Sequence, residues 1–301
     1  MSTSTYIDPR VLRSLGSTQL RARGVVEGVI AGIHRNPHRG SSVEFAEYKE
    51  YAPGDDVRHI DWRAFARVDR YYVKQFEDET NLRAWLLLDS SGSMGFSWED
   101  APTKLLYAST LVASLAWLLL RQGDAPGLVT FREDAARWLP PSSRRDQLED
   151  LCRLLDELQP EGGTAVERAM ARLAERVHQR SLIVLVSDLL DGSDELLRTA
   201  RVLRRRGLEV AVFHIMDRAE WTLPWEDMTL FEGMEGDGEL LVEPDGIRAA
   251  YQRALREHLQ RIEQTCRASD IEYARVLTDE PLEPVLISFV DGRRRGAGRR
   301  R

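Results

Sequence analysis

Three oxygen-bearing side chains fall within five residues at Asp89, Ser91 and Ser93, in the run Asp89-Ser90-Ser91-Gly92-Ser93. Gly92 permits the tight turn that lets them converge. Thr164, at the end of Pro160-Glu161-Gly162-Gly163-Thr164, adds a hydroxyl ahead of a helical pattern, and Ser187-Asp188 adds a carboxylate. All are hard oxygen donors with no His or Cys among them, a set that suits Mg²⁺, Mn²⁺ or Ca²⁺ rather than zinc or copper. Few of the groups are charged, and small hydroxyls suit a compact octahedral ion that keeps several waters, which favours Mg²⁺ or Mn²⁺ over Ca²⁺. Protein groups alone leave such an ion under-coordinated, so a carboxylate from a partner can complete its shell.

Two other readings of the same residues compete. Ser and Asp after a strand often only cap backbone groups of a turn, and the case for Thr164 and Asp188 depends on the whole set. Alternatively, Ser91-Gly92-Ser93-Met94-Gly95 comes close to the G-x-S-x-G elbow of serine hydrolases, with Ser93 as nucleophile and Asp188 and His214 following in hydrolase order. Against this, Ser91 stands where the first glycine belongs, and eight residues from Gly95 to Pro102 intervene before the next helical pattern. His34 and His38 are spaced as a helical metal pair, but Pro37 interrupts a regular helix there. His258 and Cys266 match no metal spacing.

The elements around these residues alternate between strand and helix. Ala84 to Leu88 is a continuous apolar run, the mark of a strand buried on both faces. Helical patterns at 103–122, 146–158, 165–178, 193–206 and 246–268 are separated by strand patterns at 127–131, 136–139, 181–187, 208–214 and 271–277, with a hairpin over 230–242. The fold class predicted is α/β, a doubly wound and mostly parallel sheet built from right-handed crossovers. Ligands of such sheets bind at the carboxyl ends of strands, near the point where strand order reverses. The loops at Asp89, Gly162 and Asp188 all start there.

Residues 1–30 show helical spacing. Residues 31–79 are aromatic, mixed in charge and punctuated by Pro37, Gly40, Pro53 and Gly54, as in a small mixed subdomain with a tight turn at Pro53-Gly54-Asp55. Within it Trp62 and Phe65 read as core, and Arg58, Asp61 and Arg63 as ion pairs that fix the subdomain. The α/β domain spans 80–291. The tail 292–301, Gly- and Arg-rich, reads as disordered.

The 301 residues include 49 acidic and 42 Lys and Arg residues. Six arginines lie in the last nine positions, which leaves the rest of the chain a net charge of −13. A body this acidic is a poor partner for nucleic acid. No GxxxxGK[ST] loop is present, so any ATP hydrolysis belongs to a partner. Cys152 and Cys266 form no CxxC or disulfide framework, which fits a reducing, cytoplasmic setting. The apolar run Leu105 to Leu120 is 16 residues long and holds Ser109, Thr110 and Ser114. It reads as a buried helix rather than a membrane span.

The D-x-S-x-S run with its later Thr and Asp resembles the metal-ion-dependent adhesion site of von Willebrand factor A domains. The resemblance implies that Ser91 and Ser93 ligate the ion directly, Thr164 directly or through water, and Asp89 and Asp188 mainly through water. The block from Arg39 to Met94, containing RGSSVEFAEYKEYAPGDDVRHIDWRAFAR and DSSGSM, is similar to the bacterial domain-of-unknown-function-58 family. That resemblance implies a non-enzymatic, metal-dependent protein-binding module that acts with a MoxR-type AAA+ ATPase in chaperone-like maturation of a client. Members of the family often carry N-terminal transmembrane helices. None is read in this sequence, which implies a soluble version. A scaffold with a vestigial metal site is the remaining alternative.

Overall fold

The computed structural model describes residues 6–34, 48–50, 72–74, 82–132, 135–164, 166–177, 181–190, 193–236 and 238–298. They fall into two compact units, residues 33–81 and the remainder of the chain. In the first, β1 (Tyr48–Glu50) pairs antiparallel with β2 (Tyr72–Lys74), Tyr48 opposite Lys74. Arg58, Asp61, Trp62, Arg63, Phe65 and the 53–55 turn lie outside the described residues, as does His38.

The larger unit is built on a six-stranded sheet in the order β10-β7-β6-β3-β4-β5. Its strands are β3 (Arg83–Asp89), β4 (Ala125–Arg132), β5 (Ala135–Leu139), β6 (Ser181–Ser187), β7 (Glu209–Met216) and β10 (Glu272–Leu277). All neighbours run parallel except the edge strand β5, which is antiparallel to β4. β6, with sequence SLIVLVS, is buried along its whole length, as a strand covered on both faces must be. The chain passes from β3 outward to β4 and β5, then returns to the other side of β3 with β6. The strand order therefore reverses at β3, and the crevice beyond the carboxyl ends of β3 and β6 is the place where such sheets bind ligands.

One face of the sheet packs on α5 (Val166–Arg176) and α6 (Ser193–Arg205). Leu87, Val129, Ile183, Leu185 and Val212 meet Met170, Leu173, Leu197 and Ala200 in one apolar cluster. α8 (Pro244–Ala268) joins it through Ile262 and Cys266. α3 (Lys104–Arg121) packs against β3 and β4, capped at its start by Thr103, whose hydroxyl accepts from the Leu106 N–H at 3.2 Å. By length and composition α3 could cross a membrane, but most of it is enclosed within the fold. Two of its hydroxyls bond within the helix, Thr110 to the Leu106 carbonyl at 2.8 Å and Ser114 to that of Thr110 at 2.7 Å, while the Tyr107 hydroxyl donates to the Glu280 carbonyl at 2.7 Å.

The N-terminal helices α1 (Pro9–Leu12) and α2 (Thr18–His34) belong to this unit as far as Gly32. Thr18 donates to Asp156, at the end of α4 (Gln147–Asp156), at 2.6 Å, and Val25, Val26 and Val29 are buried. The C-terminal end corrects the composition reading. α9 (Leu282–Gly298) runs as far as Gly298, into the segment 292–301 expected to be disordered. Leu282, Leu286 and Phe289 recur at helical spacing and are buried, and Phe289 packs edge-on against Phe213 at 5.3 Å. Arg293 then pairs with Glu209 at 3.1 Å, and arginine is itself a good helix former.

Candidate metal site

The five residues singled out by their chemistry converge at the carboxyl edge of β3 and β6. Asp89 ends β3 and is fully buried. Its Oδ1 accepts from the Ser91 N–H at 3.0 Å. Its Oδ2 accepts from the Thr164 hydroxyl at 3.0 Å and the Ser187 hydroxyl at 2.7 Å. A hydroxyl that gives its single hydrogen to a carboxylate keeps its lone pairs for a cation. Asp89 thus orients Thr164 as an acceptor toward the crevice. The Ser91 and Ser93 hydroxyls lie 3.2 Å apart. Adjacent oxygens around an octahedral ion with bonds of 2.0–2.1 Å are about 3 Å apart, so a slight closing of this pair would let both hydroxyls meet Mg²⁺.

Backbone contacts fix the loops that carry these groups. Gly92 N–H donates to the Gly162 carbonyl at 2.7 Å, and Glu161 N–H to the Ser90 carbonyl at 3.2 Å. Residues Gly92–Gly95 form one 3₁₀ turn after Ser91. A Cβ at position 92 would lie 2.2 Å from the Met234 carbonyl oxygen, so only glycine fits there.

Asp188 follows β6 and is buried, and its Oδ2 accepts from Lys104 Nζ at 2.7 Å. Lys104 Nζ also donates at 2.5 Å to Glu220, on α7 (Arg218–Thr222). Lys104 is 0% exposed. Burial alone favours its neutral form, but the charges of Asp188 and Glu220 outweigh that effect and hold it above the ordinary lysine value. Asp89 is pushed up to about 6, first by burial and then by the negative charge of Asp188. Burial likewise raises Glu220, against the pull of Lys104. Asp89, Asp188 and Glu220 together outnumber the ammonium of Lys104, and such a cluster favours an added cation. No group of three His, Cys, Asp or Glu side chains among the described residues is arranged to hold a metal. An ion here would rest on hydroxyls, Asp89, Asp188 and water.

No hydrogen bond joins Ser93 to His214 among the described residues, although His214 lies against the Asp188 backbone. His214 Nδ1 is 2.9 Å from the Tyr273 hydroxyl, and Asp188 is engaged by Lys104. Ser93 Oγ is paired with Ser91. Burial lowers His214 to about 4, which keeps the ring neutral.

Three contributors escaped the sequence reading, Lys104, Glu220 and Glu235, and Ser187 was read there only beside Asp188, not as a partner of Asp89. Lys104 had a readable signal, since a lysine in the first turn of an apolar helix opposes the helix dipole and calls for an internal partner. Glu235 lies in the turn between β8 (Thr229–Glu232) and β9 (Glu239–Val242), and its Oε1 accepts from the Ser93 N–H at 3.3 Å.

A family model described as "Protein of unknown function DUF58" matches residues 47–261. Uncharacterized protein Rv1480 of Mycobacterium tuberculosis is 27% identical over 295 residues, covering 96% of this chain and 92% of its own. Uncharacterized protein Mb1516 of Mycobacterium bovis matches with the same identity and coverage. Among solved structures, conserved hypothetical protein BatB from Bacteroides thetaiotaomicron aligns at 20% identity and TM-score 0.46, over 70% of this chain and 98% of that one. The SpRpn10 VWA domain aligns at 15% identity and TM-score 0.44, over 69% and 94%.

Proposed function

The chain belongs to the DUF58 family, and from that premise we propose that it is a protein-binding module that holds Mg²⁺ or Mn²⁺ in the crevice at Asp89, Ser91, Ser93, Thr164 and Asp188. The observation that carries this reading is the buried Asp89 carboxylate. Its oxygens accept from the Ser91 N–H and from the Thr164 and Ser187 hydroxyls, which leaves lone pairs on the Thr164 hydroxyl for a cation, while the Ser187 hydroxyl in turn accepts from the Leu189 N–H. When bound, the ion supplies an open coordination position that a carboxylate can enter. The chain's own residues orient the hydroxyls, set the loop spacing and keep Asp188 in place through Lys104. The partner that presents the carboxylate is an acidic residue of a MoxR-type AAA+ ATPase or of a client it remodels, a reading that rests on the family resemblance. The ATPase supplies the energy of remodelling, and this chain supplies recognition.

The test is capture of the ATPase by the purified chain with and without EDTA. Capture lost in EDTA, and lost in Asp89→Ala and Ser91→Ala with the fold intact, supports the reading. Capture indifferent to all three overturns it.

One observation favours a second reading. The Lys104 ammonium already sits on Asp188 at 2.7 Å and provides an internal positive charge there. In that reading the chain is a scaffold whose site works without metal, and partner binding is unchanged by EDTA.

A further inference from the structure

The β8–β9 hairpin reaches back over the crevice with its turn. Met234 carbonyl oxygen lies where a Cβ of residue 92 would stand, and Met234 Cε packs near Gly95. Glu235 is half-buried between the exposed Met234 and Gly236, so its side chain is turned inward, onto the Ser93 N–H. Ser93 is one of the residues whose hydroxyls would meet the ion. Glu235 and Glu220 also face the same cavity of about 360 Å³, together with Lys104 and Ser93. A further carboxylate beside Asp89, Asp188 and Glu220 runs against charge repulsion, and a divalent ion reverses that balance.

The base of the hairpin is anchored by stacked aromatic rings, whereas its turn meets the crevice through Met234 and Glu235. Trp225 stacks edge-on against Trp98 at 4.6 Å and against Phe231 at 5.2 Å. The turn closes through the Gly233 N–H to the Gly238 carbonyl at 2.8 Å, with Gly236 and Gly238 at φ of +89° and +93°. Such a turn can lift while the aromatic base stays in place.

We propose that Glu235 is the chain's own ligand for this site: its carboxylate occupies the position that a partner's acidic residue takes when the hairpin turn lifts. The proposal rests on the metal-binding reading given above. It adds that the free chain is self-occluded and that a partner binds by exchanging one carboxylate for another.

The test uses the full chain, Mn²⁺ as the metal and a capped glutamate as the soluble carboxylate. Calorimetric titration of the wild type is compared with Glu235→Gln and Ser91→Ala, and hydrogen exchange at the Met234 and Glu235 amides is followed with and without Mn²⁺. Mn²⁺ is expected to bind Glu235→Gln at least about tenfold more weakly than the wild type. The capped glutamate should restore that affinity in Glu235→Gln and leave the wild type unchanged. Mn²⁺ should slow exchange at the turn in the wild type alone. If Glu235→Gln binds Mn²⁺ as tightly as the wild type and the turn ignores the metal, while Ser91→Ala loses binding, the metal site stands and the role of Glu235 is overturned. If the wild type binds no Mn²⁺, both fail together.

Discussion

Lys104 Nζ lies 2.7 Å from Asp188 Oδ2, a bond between the first turn of a buried helix and the end of a strand 84 residues later in the chain. It ties α3 to the carboxyl edge of β6 and sets the position of a candidate metal residue. Removing the ammonium leaves Asp188 and Glu220 buried without their cation. Lys104→Met should therefore lower stability by roughly 3–5 kcal/mol, read from denaturant unfolding. If the crevice takes a divalent ion, Mn²⁺ should raise the melting temperature of Lys104→Met by more than it raises that of the wild type. Equal shifts would show that the metal does not replace the lysine charge.

The close approach of Met234 to Gly92 makes a second prediction. Gly92→Ala forces the hairpin turn away, because a Cβ there meets backbone at 2.2 Å. The turn lies at the surface, so the main effect should be local. Faster hydrogen exchange at Met234 and Glu235 is expected, with the exchange of β3 and β6 unchanged.

Cys152 and Cys266 are both buried, and burial pushes their thiols up to about 12 and about 11. A thiol that resists ionisation and is shielded reacts slowly with alkylating agents. At about pH 8 neither should be labelled in the folded chain, and both should be labelled in denaturant. Rapid labelling of the native chain would contradict the packing described for α4 and α8.

Glu283 is fully buried at the start of α9. One carboxylate oxygen accepts from the Ile7 N–H at 2.8 Å, and the other has no partner among the described residues. Burial raises its pKa above the ordinary glutamate value. Between the unfolded and folded pKa values the folded chain binds the extra proton, so this group's contribution to stability falls as pH rises through that window. Glu283→Gln should unfold at higher denaturant than the wild type at neutral pH. The difference should shrink as pH is lowered toward the ordinary carboxylate range.

The sheet was legible because its signals are local. SLIVLVS reads as a strand buried on both faces, and of the helically spaced Val166, Met170, Leu173 and Val177 the first three fall on α5, with Val177 just past its end. Asp89, Ser91 and Ser93 were legible for the same reason, since their spacing in one loop brings them together. Thr164 and Asp188 could be added because the topology of an α/β sheet gathers its strand ends at one edge. Lys104 carried a local signal in the first turn of an apolar helix, but its partner Glu220 was not legible, because their pairing spans 116 residues and depends on how α3 and α7 pack. Glu235 lies in the turn of the hairpin read over 230–242, and only the fold of that hairpin brings it to Ser93. The tail from Gly292 reads as disordered from its Gly and Arg composition, whereas α9, packed through Leu282, Leu286 and Phe289, carries the helix on to Gly298.

The most direct test of the account is calorimetric titration of Mg²⁺ and Mn²⁺ into the purified chain, with Ser91→Ala and Asp188→Ala as controls. Saturable binding of one ion per chain, lost in Ser91→Ala and weakened in Asp188→Ala, is the predicted result. Absence of binding at millimolar metal, or binding that survives Ser91→Ala in an intact fold, would contradict it.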